Sequence, residues 1–267
     1  MSAPQRDVYE VYAIKYAHHA RRASANFIGG DPHDGPMPLD FFVWLIRGGE
    51  GVNARAIVVD TGFSAATAAR RQRDHLRCPT AGLGLLNVDS KKIKDVVITH
   101  LHYDHVGNFD LFPAATFHLQ DKEMQYATGR HMAQPVFRGA FDVEDVVGMV
   151  RNAYAGRVNF HDGDATIAPG VSLHFIGGHT MGLQVVRVAT RRGWVVLASD
   201  ASHFYANMEE VRPFPIVFNV ADMVEGYARL RAMADSPAHI IPGHDPLVLE
   251  RYPAPSAALQ GIVARLD

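Results

Sequence analysis

The most informative part of this sequence is one histidine-rich stretch, Thr99-His100-Leu101-His102-Tyr103-Asp104-His105. It follows the short apolar run 96–98, which is rich in β-branched residues and is therefore predicted to be a buried strand. Histidines two positions apart in an extended segment project the same way, so His100 and His102 can hold one metal ion. A tight turn then brings Asp104 and His105 to a second position nearby. Such side chains are costly to bury without partners, which favours a metal site over chance clustering.

The composition limits what else can hold a metal. The chain of 267 residues has 15 histidines but one cysteine, Cys78, which cannot form an internal disulfide. Any metal ligands must therefore be imidazole and carboxylate groups. The 26 basic and 28 acidic residues nearly balance, which argues against nucleic acid or an anionic membrane as the main partner. A hydrophobic content of 48% and a charged content of 20% are typical of a globular protein and exclude a disordered chain.

The N-terminal residues 1–22 lack an apolar run bounded by a small-residue cleavage site. No stretch approaches the roughly 18 consecutive apolar residues that a membrane span needs. We therefore expect a cytoplasmic protein with no membrane partner, folded as a single domain over residues 1–267.

Short apolar runs alternate with amphipathic segments along the chain. We predict strands over residues 8–16, 41–46, 56–59, 96–98, 158–160, 171–176, 183–188, 194–198 and 239–241. We predict helices over 64–76, 121–127, 143–155 and 221–234, and a loop over 29–36. Strands followed by helices in both halves indicate an α/β layered domain with sheets inside and helices outside.

Three further candidate ligands each follow a predicted strand. His179 comes after 171–176, Asp200 after 194–198 and His244 after 239–241. Functional sites of α/β proteins are built where strand ends converge. Glycine precedes both histidines and permits a sharp turn or a close backbone approach. Each feature alone is weak, since a Gly-His pair is more often a turn, but as an ordered set they supply the ligands that two ions still need.

The seven candidate ligands occur in a characteristic order: His100, His102, Asp104, His105, His179, Asp200 and His244. This order resembles the metallo-β-lactamase superfamily, and within it most closely the N-acyl homoserine lactonases. The similarity extends from the segment Val58-Val59-Asp60-Thr61-Gly62 to Gly243-His244-Asp245. The resemblance implies an αββα sandwich of two stacked mixed β-sheets flanked by helices, with a dinuclear zinc site between the sheets. It also implies a homodimer.

Position by position, the resemblance assigns three ligands to the first zinc: His100, His102 and His179. It assigns three ligands to the second: Asp104, His105 and His244. Asp200 resembles the carboxylate that bridges both ions. Oxygen and nitrogen ligands also suit manganese, iron or cobalt. The absence of cysteine at position 200 departs from thiolate-containing β-lactamases, and His102 in place of a carboxylate departs from the di-iron flavoprotein branch.

The expected chemistry is hydrolysis. Two close cations lower the pKa of a bridging water, and the resulting hydroxide can attack a carbonyl carbon. Asp200 is placed to pass a proton to the leaving oxygen, and substitution of either catalytic carboxylate, Asp104 or Asp200, should abolish activity mainly through lost metal or lost proton transfer. The lactonases carry a tyrosine that holds the substrate three residues after the bridging aspartate. Here His203 stands at that position and Tyr205 follows, and either is a candidate hydrogen-bond donor to the oxyanion.

The leading hypothesis is a dinuclear zinc hydrolase that opens the ring of a small-molecule lactone similar to an N-acyl homoserine lactone. One alternative keeps the same site but hydrolyses another ester: an aromatic lactone, an organophosphate triester or a thioester. A second is a metal-binding protein without catalysis, which the complete ligand set opposes. Nucleic-acid processing is disfavoured by the neutral charge.

Other residues are candidates for supporting roles. Asp60 is expected either to orient a metal ligand or to cap the helix that starts near Ser64. Met132 and Arg138 lie in a segment that is a candidate lid. Eight aromatic or apolar residues are candidates for the pocket wall: Phe27, Phe137, Phe141, Met149, Phe204, Tyr205, Phe214 and Phe218. For each of them the alternative is a position in the hydrophobic core.

Overall fold

Strands and short helices alternate along the computed structural model, which describes residues 7–48 and 54–267. The strands are β1 (Tyr9–His19), β2 (Leu39–Gly48), β3 (Arg55–Val59), β4 (Asp74–His75), β5 (Asp95–Val97), β6 (Thr116–Gln120), β7 (Val158–His161), β8 (Ala165–Ala168), β9 (Val171–Phe175), β10 (Gln184–Thr190), β11 (Gly193–Ser199), β12 (Ile240–Pro242) and β13 (Val263–Arg265). The α-helices are α1 (Ala65–Arg71), α2 (Pro79–Gly84), α3 (Tyr103–Val106), α4 (Asp121–Ala127), α5 (Pro135–Arg138), α6 (Val143–Tyr154), α7 (Tyr205–Glu209), α8 (Val220–Met233) and α9 (Leu247–Arg251). Among these helices none is long and apolar enough to cross a membrane.

The strands form two mixed sheets. The first has the order β13-β1-β2-β3-β5-β6-β7, with β4 added beside β1. Its β3, β5, β6 and β7 run parallel, whereas β13, β1, β2 and β3 pair antiparallel. The second sheet has the order β12-β11-β10-β9-β8 and is antiparallel except for the parallel pair of β11 and β12.

The two sheets are stacked, as the alternation of side chains along β2 shows. Phe42 and Trp44 join a core cluster with Leu197 of the second sheet. Val43 and Leu45 point the other way, into a cluster that includes residues of α2 and α6. Helix α8 packs against β11 of the second sheet and contributes its buried side chains to the same cluster as Leu197. Helices therefore lie outside both sheets, and the predicted αββα sandwich of two stacked mixed sheets is confirmed.

Most predicted elements are present, with ends that differ by a few residues, and α4 has the predicted bounds. The helix predicted over 64–76 is wrong in its second half. Ser64 caps α1 as expected, but Gln72 adopts a left-handed conformation with φ of 55° and ends the helix. The chain then pairs with β1 as β4, placing Ala17 opposite His75. The sequence signal was misleading because the polar, arginine-rich run is equally compatible with a turn and a short edge strand.

Besides β4, three strands were missed: β6, β8 and β13. Strand β6 illustrates the reason, because His118 and Gln120 are polar yet buried there. Gln120 is satisfied by hydrogen bonds to Gln184 and to the backbone of Gly163. An apolar-run criterion cannot detect a strand whose buried side chains are polar and paired across the protein.

The topology brings the ends of four strands to one edge of the sandwich. The histidine-rich stretch follows β5 in the first sheet, and the segments after β9, β11 and β12 belong to the second sheet. Because β11 and β12 are parallel neighbours, their carboxyl ends lie side by side, which places Asp200 near His244. The predicted ligands therefore meet where the two sheets adjoin.

Removal of one inner side chain tests the stacking. Leu197 is fully buried between the sheets, so Leu197→Ala should lower the free energy of unfolding by about 2–5 kcal/mol through the cavity it leaves. Urea denaturation measures this change. Leu85→Ala is the matched control, because Leu85 is 44% exposed and its loss should cost no more than about 0.5 kcal/mol. Equal effects of the two substitutions would contradict the assignment of Leu197 to the inner face.

Candidate metal centre

Three buried imidazoles present nitrogens to a common point. His100 Nε2 lies 3.1 Å from His102 Nδ1, and His179 Nε2 lies 3.2 Å and 2.9 Å from these two atoms. Nitrogens bound to one zinc at about 2.0–2.1 Å in a tetrahedral arrangement are separated by similar distances. The ring atoms that face away are held by other groups: His179 Nδ1 by the carbonyl of Ile216, and His100 Nδ1 by the hydroxyl of Thr99. The rings are therefore fixed in orientation.

A second group lies beside the first. Asp104 Oδ2 is 3.6 Å from His105 Nε2 and 3.7 Å from His244 Nε2. The far nitrogen of His244 contacts the backbone carbonyl of Asp40 at 3.0 Å. Asp104, His105 and His244 are all buried. They form a second set of ligand atoms close enough to share one ion.

Asp200 stands between the two groups and turns one oxygen to each. Its Oδ2 lies 3.3 Å from His179 Nε2 and 3.9 Å from His100 Nε2. Its Oδ1 lies 3.4 Å from His105 Nε2 and 3.1 Å from His244 Nε2. The seven residues predicted as ligands are thus brought together, in the two groups and with the shared carboxylate that the sequence indicated.

The donor set fits divalent cations. His105 Nε2 and Asp200 Oδ1 are buried atoms without a hydrogen-bond partner among the described residues. The three nitrogens of the first group face one another, and neutral imidazoles cannot all donate to each other across that space. A cation in each group would satisfy these atoms, because nitrogen and oxygen ligands of this kind suit zinc and related ions.

The electrostatics of the first group agree with a ligand role. Burial and neighbouring imidazoles lower the pKa of His100 and of His102 well below the ordinary value. Burial lowers the pKa of His179 to about 4. These rings are therefore neutral near pH 7, which is the form that binds a metal.

The second group is dominated by carboxylates. Burial acts to lower the pKa of His105, but Asp200, Asp104 and Asp60 outweigh it and raise that pKa well above the ordinary value. Burial likewise opposes ionisation of Asp200, yet the positive charges of His244 and His105 hold its pKa well below the usual range. Without a cation, protons on these imidazoles balance the carboxylates, so metal binding to this group releases protons.

Asp60 contacts the far nitrogen of His105 and so supports the second group of ligands. Its Oδ2 lies 2.7 Å from His105 Nδ1, and its two oxygens also accept hydrogen bonds from the backbone N–H and hydroxyl of Thr99. The cap of α1 is Ser64, which accepts from the N–H of Thr67. Of the two roles considered for Asp60, the contacts therefore favour orientation of a metal ligand over a helix cap.

Glu123, at the start of α4, is a supporting residue that the sequence did not reveal. It is fully buried. Its Oε1 accepts from the N–H of Leu101, and its Oε2 accepts from the hydroxyl of Thr180 and the N–H of Gly182. Burial raises its pKa to about 7. One carboxylate thus ties the loop of His100 and His102 to the loop of His179, and no local sequence pattern signals such a contact.

Two glycines beside the ligands have no room for a side chain. A Cβ atom on Gly243 would lie 2.6 Å from Asp200 Oδ1, and one on Gly178 would lie 2.6 Å from the backbone nitrogen of Met223. Gly178 also has a φ of 83°, which favours glycine. The close approach expected of glycine at these positions is therefore present.

His203 and Tyr205 occupy different environments. His203 lines the cavity above the metal ligands, stacks on Phe214 with ring centroids 3.5 Å apart, and places Nε2 2.9 Å from Asp200 Oδ2. Tyr205 does not line that cavity. It begins α7 with its ring buried in the hydrophobic core, 3.8 Å from the guanidinium of Arg251 in α9. The structure brings His203 to the site and leaves Tyr205 away from it, because the start of α7 turns that side chain inward.

The cavity above the ligands has a volume of about 250 Å³. Its apolar wall includes Leu39, Phe41, Val136, Phe137 and Ile216. Three arginines also line it: Arg21, Arg71 and Arg73. Of the pocket residues predicted from sequence, Phe137 alone is part of this lining. The correction has a simple cause, since composition cannot distinguish aromatic residues of the core from those of a pocket.

The predicted lid residues line a different space. Met132 and Arg138 border a separate cavity of about 190 Å³ together with Phe141 and residues of α6. Val136 and Phe137, from the same segment, reach the main cavity. The segment therefore lies over the site, and its role as a lid stays a prediction.

The sequence of residues 41–244 matches the family described as the metallo-beta-lactamase superfamily. This match spans most of the chain and includes all seven ligand residues. The chain belongs to the metallo-beta-lactamase superfamily. The predicted resemblance is therefore confirmed at the level of the superfamily, and the ligand positions of this chain can be compared with those of its relatives.

Curated relatives of this superfamily member carry the name that the sequence resemblance suggested. N-acyl homoserine lactonase AttM of Azorhizobium caulinodans is 31% identical over 168 residues, which cover 60% of this chain and 61% of that protein. The N-acyl homoserine lactonase of Bacillus cereus is 27% identical over 122 residues, covering 45% of this chain and 42% of that protein. The chain thus spans about three fifths of the first relative's length and about two fifths of the second's.

Solved structures agree on the fold. A crystal structure of a quorum-quenching N-acyl homoserine lactone lactonase superposes with a TM-score of 0.73 at 22% identity, covering 89% of this chain and 92% of that one. This likeness establishes the metallo-beta-lactamase fold of the chain.

The role of Asp60 is open to a direct test. Asp60→Asn should weaken metal binding by about 10–100-fold, because an amide cannot accept from both Thr99 donors and His105 at once. Metal affinity is measured by competition with a chromophoric chelator. Asp89→Asn serves as control, since Asp89 caps an exposed turn that asparagine caps equally well. Unchanged affinity in Asp60→Asn would show that His105 does not depend on this carboxylate.

Proposed function

We propose that this chain is a dinuclear metal hydrolase that opens the ring of a small-molecule lactone. The observation that carries the proposal is the position of Asp200, whose two oxygens face two separate groups of ligand atoms. A carboxylate shared in this way is the arrangement expected of two neighbouring ions. Zinc is the proposed metal, with manganese, iron or cobalt as alternatives.

The lactone substrate class is supported by the relatives named N-acyl homoserine lactonases. The ligand chemistry also agrees, because the site is built from imidazole and carboxylate groups without a thiolate. The small cavity adds a restriction. Its volume of about 250 Å³ lies below the roughly 300–1,000 Å³ typical of sites for drug-sized ligands, which favours a compact lactone over one with a long acyl chain.

Two divalent cations in this site would supply a water of lowered pKa as nucleophile and a Lewis acid for the carbonyl oxygen. The chain's own residues supply orientation and proton transfer. Asp200 stays ionised and is placed to accept a proton and pass it to the departing oxygen. His203, neutral because burial lowers its pKa to about 4, donates from Nε2 to Asp200 Oδ2 and holds that oxygen in place.

His203 therefore has a different proposed role from the oxyanion donor that the sequence suggested. Its Nε2 is already engaged by Asp200, and its ring is clamped face to face against Phe214. In this arrangement His203 forms the wall of the cavity and positions the shared carboxylate. The apolar side chains of Phe137 and Ile216, which also line the cavity, limit the water that reaches the bound ester.

Substitution of the shared carboxylate tests the mechanism. Asp200→Asn should keep the fold but lower kcat for lactone hydrolysis by at least about a hundredfold, because the amide is a poor metal bridge and cannot carry the proton. Steady-state kinetics, circular dichroism and elemental analysis of the same preparation separate lost metal from lost proton transfer. The exposed Asp222→Asn is the control. Near-normal turnover in Asp200→Asn would refute the assigned role.

The reaction class is tested by metal removal and a substrate panel. Chelation should abolish hydrolysis, and added zinc, manganese or cobalt should restore it with two ions bound per chain. The panel contains homoserine lactones of several acyl lengths, an aromatic lactone, a thioester and a phosphotriester. We expect compact lactones to be hydrolysed fastest. Turnover of the phosphotriester alone would overturn the lactonase proposal while retaining a metal hydrolase.

A further inference from the structure

The cavity is lined by basic side chains as well as by the metal ligands. Arg21, Arg71 and Arg73 all line it, and none of them forms a salt bridge with a described residue. Their neighbours in the sequence behave differently. Arg22 pairs with Asp34, and Arg70 pairs with Asp142. The arginines that face solvent are thus neutralised, whereas those that face the cavity are not.

Arg71 and Arg73 are held beside the metal ligands by Tyr103. The guanidinium of Arg71 lies 3.8 Å from the centroid of the Tyr103 ring, and Arg73 Nε donates to the Tyr103 hydroxyl at 3.2 Å. Tyr103 sits between the ligands His102 and Asp104 in the chain. The other hydrogen bonds of these two arginines go to backbone carbonyls, such as those of Gly139 and Phe141.

Arg21 completes the group from the end of β1. It is half-buried, and its Nη2 donates to the backbone carbonyl of Ala25. Burial and the positive charge of Arg73 both lower the pKa of Arg21. The carboxylates that line the same cavity, Asp104 and Asp200, belong to the metal ligands. Arg21 and Arg73 therefore repel each other, and the carboxylates that share their cavity are metal ligands rather than ion-pair partners of the arginines.

We propose that Arg21, Arg71 and Arg73 bind an oxyanion carried by the substrate, so that this hydrolase acts on a compact lactone with a carboxylate in its side chain. This inference rests on the proposed lactonase function. Arginine suits the purpose because its planar fork binds a carboxylate with two parallel hydrogen bonds. The ester would lie over the ligands Asp104 and Asp200, and the carboxylate would lie at the mouth beside Tyr103.

The test compares two substrates that differ only in charge: N-succinyl homoserine lactone and the analogue whose terminal carboxylate is a primary amide. With metal-loaded enzyme, kcat/KM should be at least about tenfold higher for the carboxylate, because a hydrogen-bonded ion pair is lost in the amide. The preference should shrink as ionic strength rises. Equal kcat/KM for the two lactones would overturn the inference.

Variants show whether the arginines cause the preference. Arg71→Gln and Arg73→Gln should reduce the ratio of the two kcat/KM values towards one, and Arg73→Lys should restore part of it because the charge returns without the fork. Arg22→Gln and Arg70→Gln are the matched controls, since Arg22 pairs with Asp34 and Arg70 pairs with Asp142, away from the cavity. A ratio that stays unchanged in both cavity variants would also overturn the inference. Circular dichroism and metal content identify any variant that fails to fold.

A binding measurement keeps this inference separate from the lactonase proposal. The lactams that correspond to the two lactones cannot be opened in the same way, and calorimetry gives their Kd for the metal-loaded enzyme and for Arg73→Gln. Tighter binding of the carboxylated lactam, lost in Arg73→Gln, supports the inference even if neither lactone is hydrolysed, in which case the lactonase proposal falls. Equal Kd values for the two lactams overturn the inference even if both lactones are hydrolysed. The same calorimetry on the ring-opened product gives a further comparison. If Arg73→Gln weakened binding of that product but not of the carboxylated lactam, the inference would also be overturned.

Discussion

The structure depends on the attraction between one buried carboxylate and the ligand groups on either side of it. Asp200 is almost inaccessible to solvent, and ionised carboxylates are costly to bury unless positive charge is close by. His105 and His244 supply that charge as protonated rings, and divalent cations would supply it in place of those protons. The two sheets must therefore meet at a spacing that keeps both groups against the same carboxylate. Within the second sheet, Gly243 permits the segment of His244 to approach Asp200 closely, because a Cβ atom at position 243 would lie 2.6 Å from Asp200 Oδ1.

The sandwich achieves this geometry by bringing together the ends of strands from two sheets. Parallel pairing of β11 with β12 sets Asp200 beside His244, and β5 delivers the histidine-rich stretch from the opposite sheet. Asp60 then connects β3 to that stretch through Thr99 and His105. Hydrogen bonds to the far nitrogens of His100, His105, His179 and His244 set the orientation of these four rings before an ion binds.

Sequence reasoning succeeded where chemistry is local and failed where it depends on tertiary contacts. The first four ligands could be recognised because they stand close together in the sequence, directly after an apolar strand: His100, His102, Asp104 and His105. The layered fold followed from the alternation of strands and helices. The position of Tyr205 could not be read from its separation from Asp200, because the first turn of α7 decides which way the side chain points.

The arginines of the cavity illustrate the same limit. Arg70, Arg71 and Arg73 form one basic run, and a helix through all three was the simplest interpretation. The left-handed Gln72 separates them, so that Arg70 pairs with Asp142 outside while its neighbours face the cavity. Glu123 is a further example, since its three donors come from two distant loops.

The hydrogen bonds of the Glu123 carboxylate have a consequence for the motion of the two loops that they join. The loop of Leu101 and the loop of Thr180 and Gly182 are fastened to the same two oxygens, deep in the protein. Neither loop can swing outward without stripping Glu123 of donors and leaving it unsolvated, which opposes opening of one loop alone. His100, His102 and His179 should consequently separate together or not at all, and an ion bound by these three rings would leave the folded protein only in a rare, concerted opening of both loops.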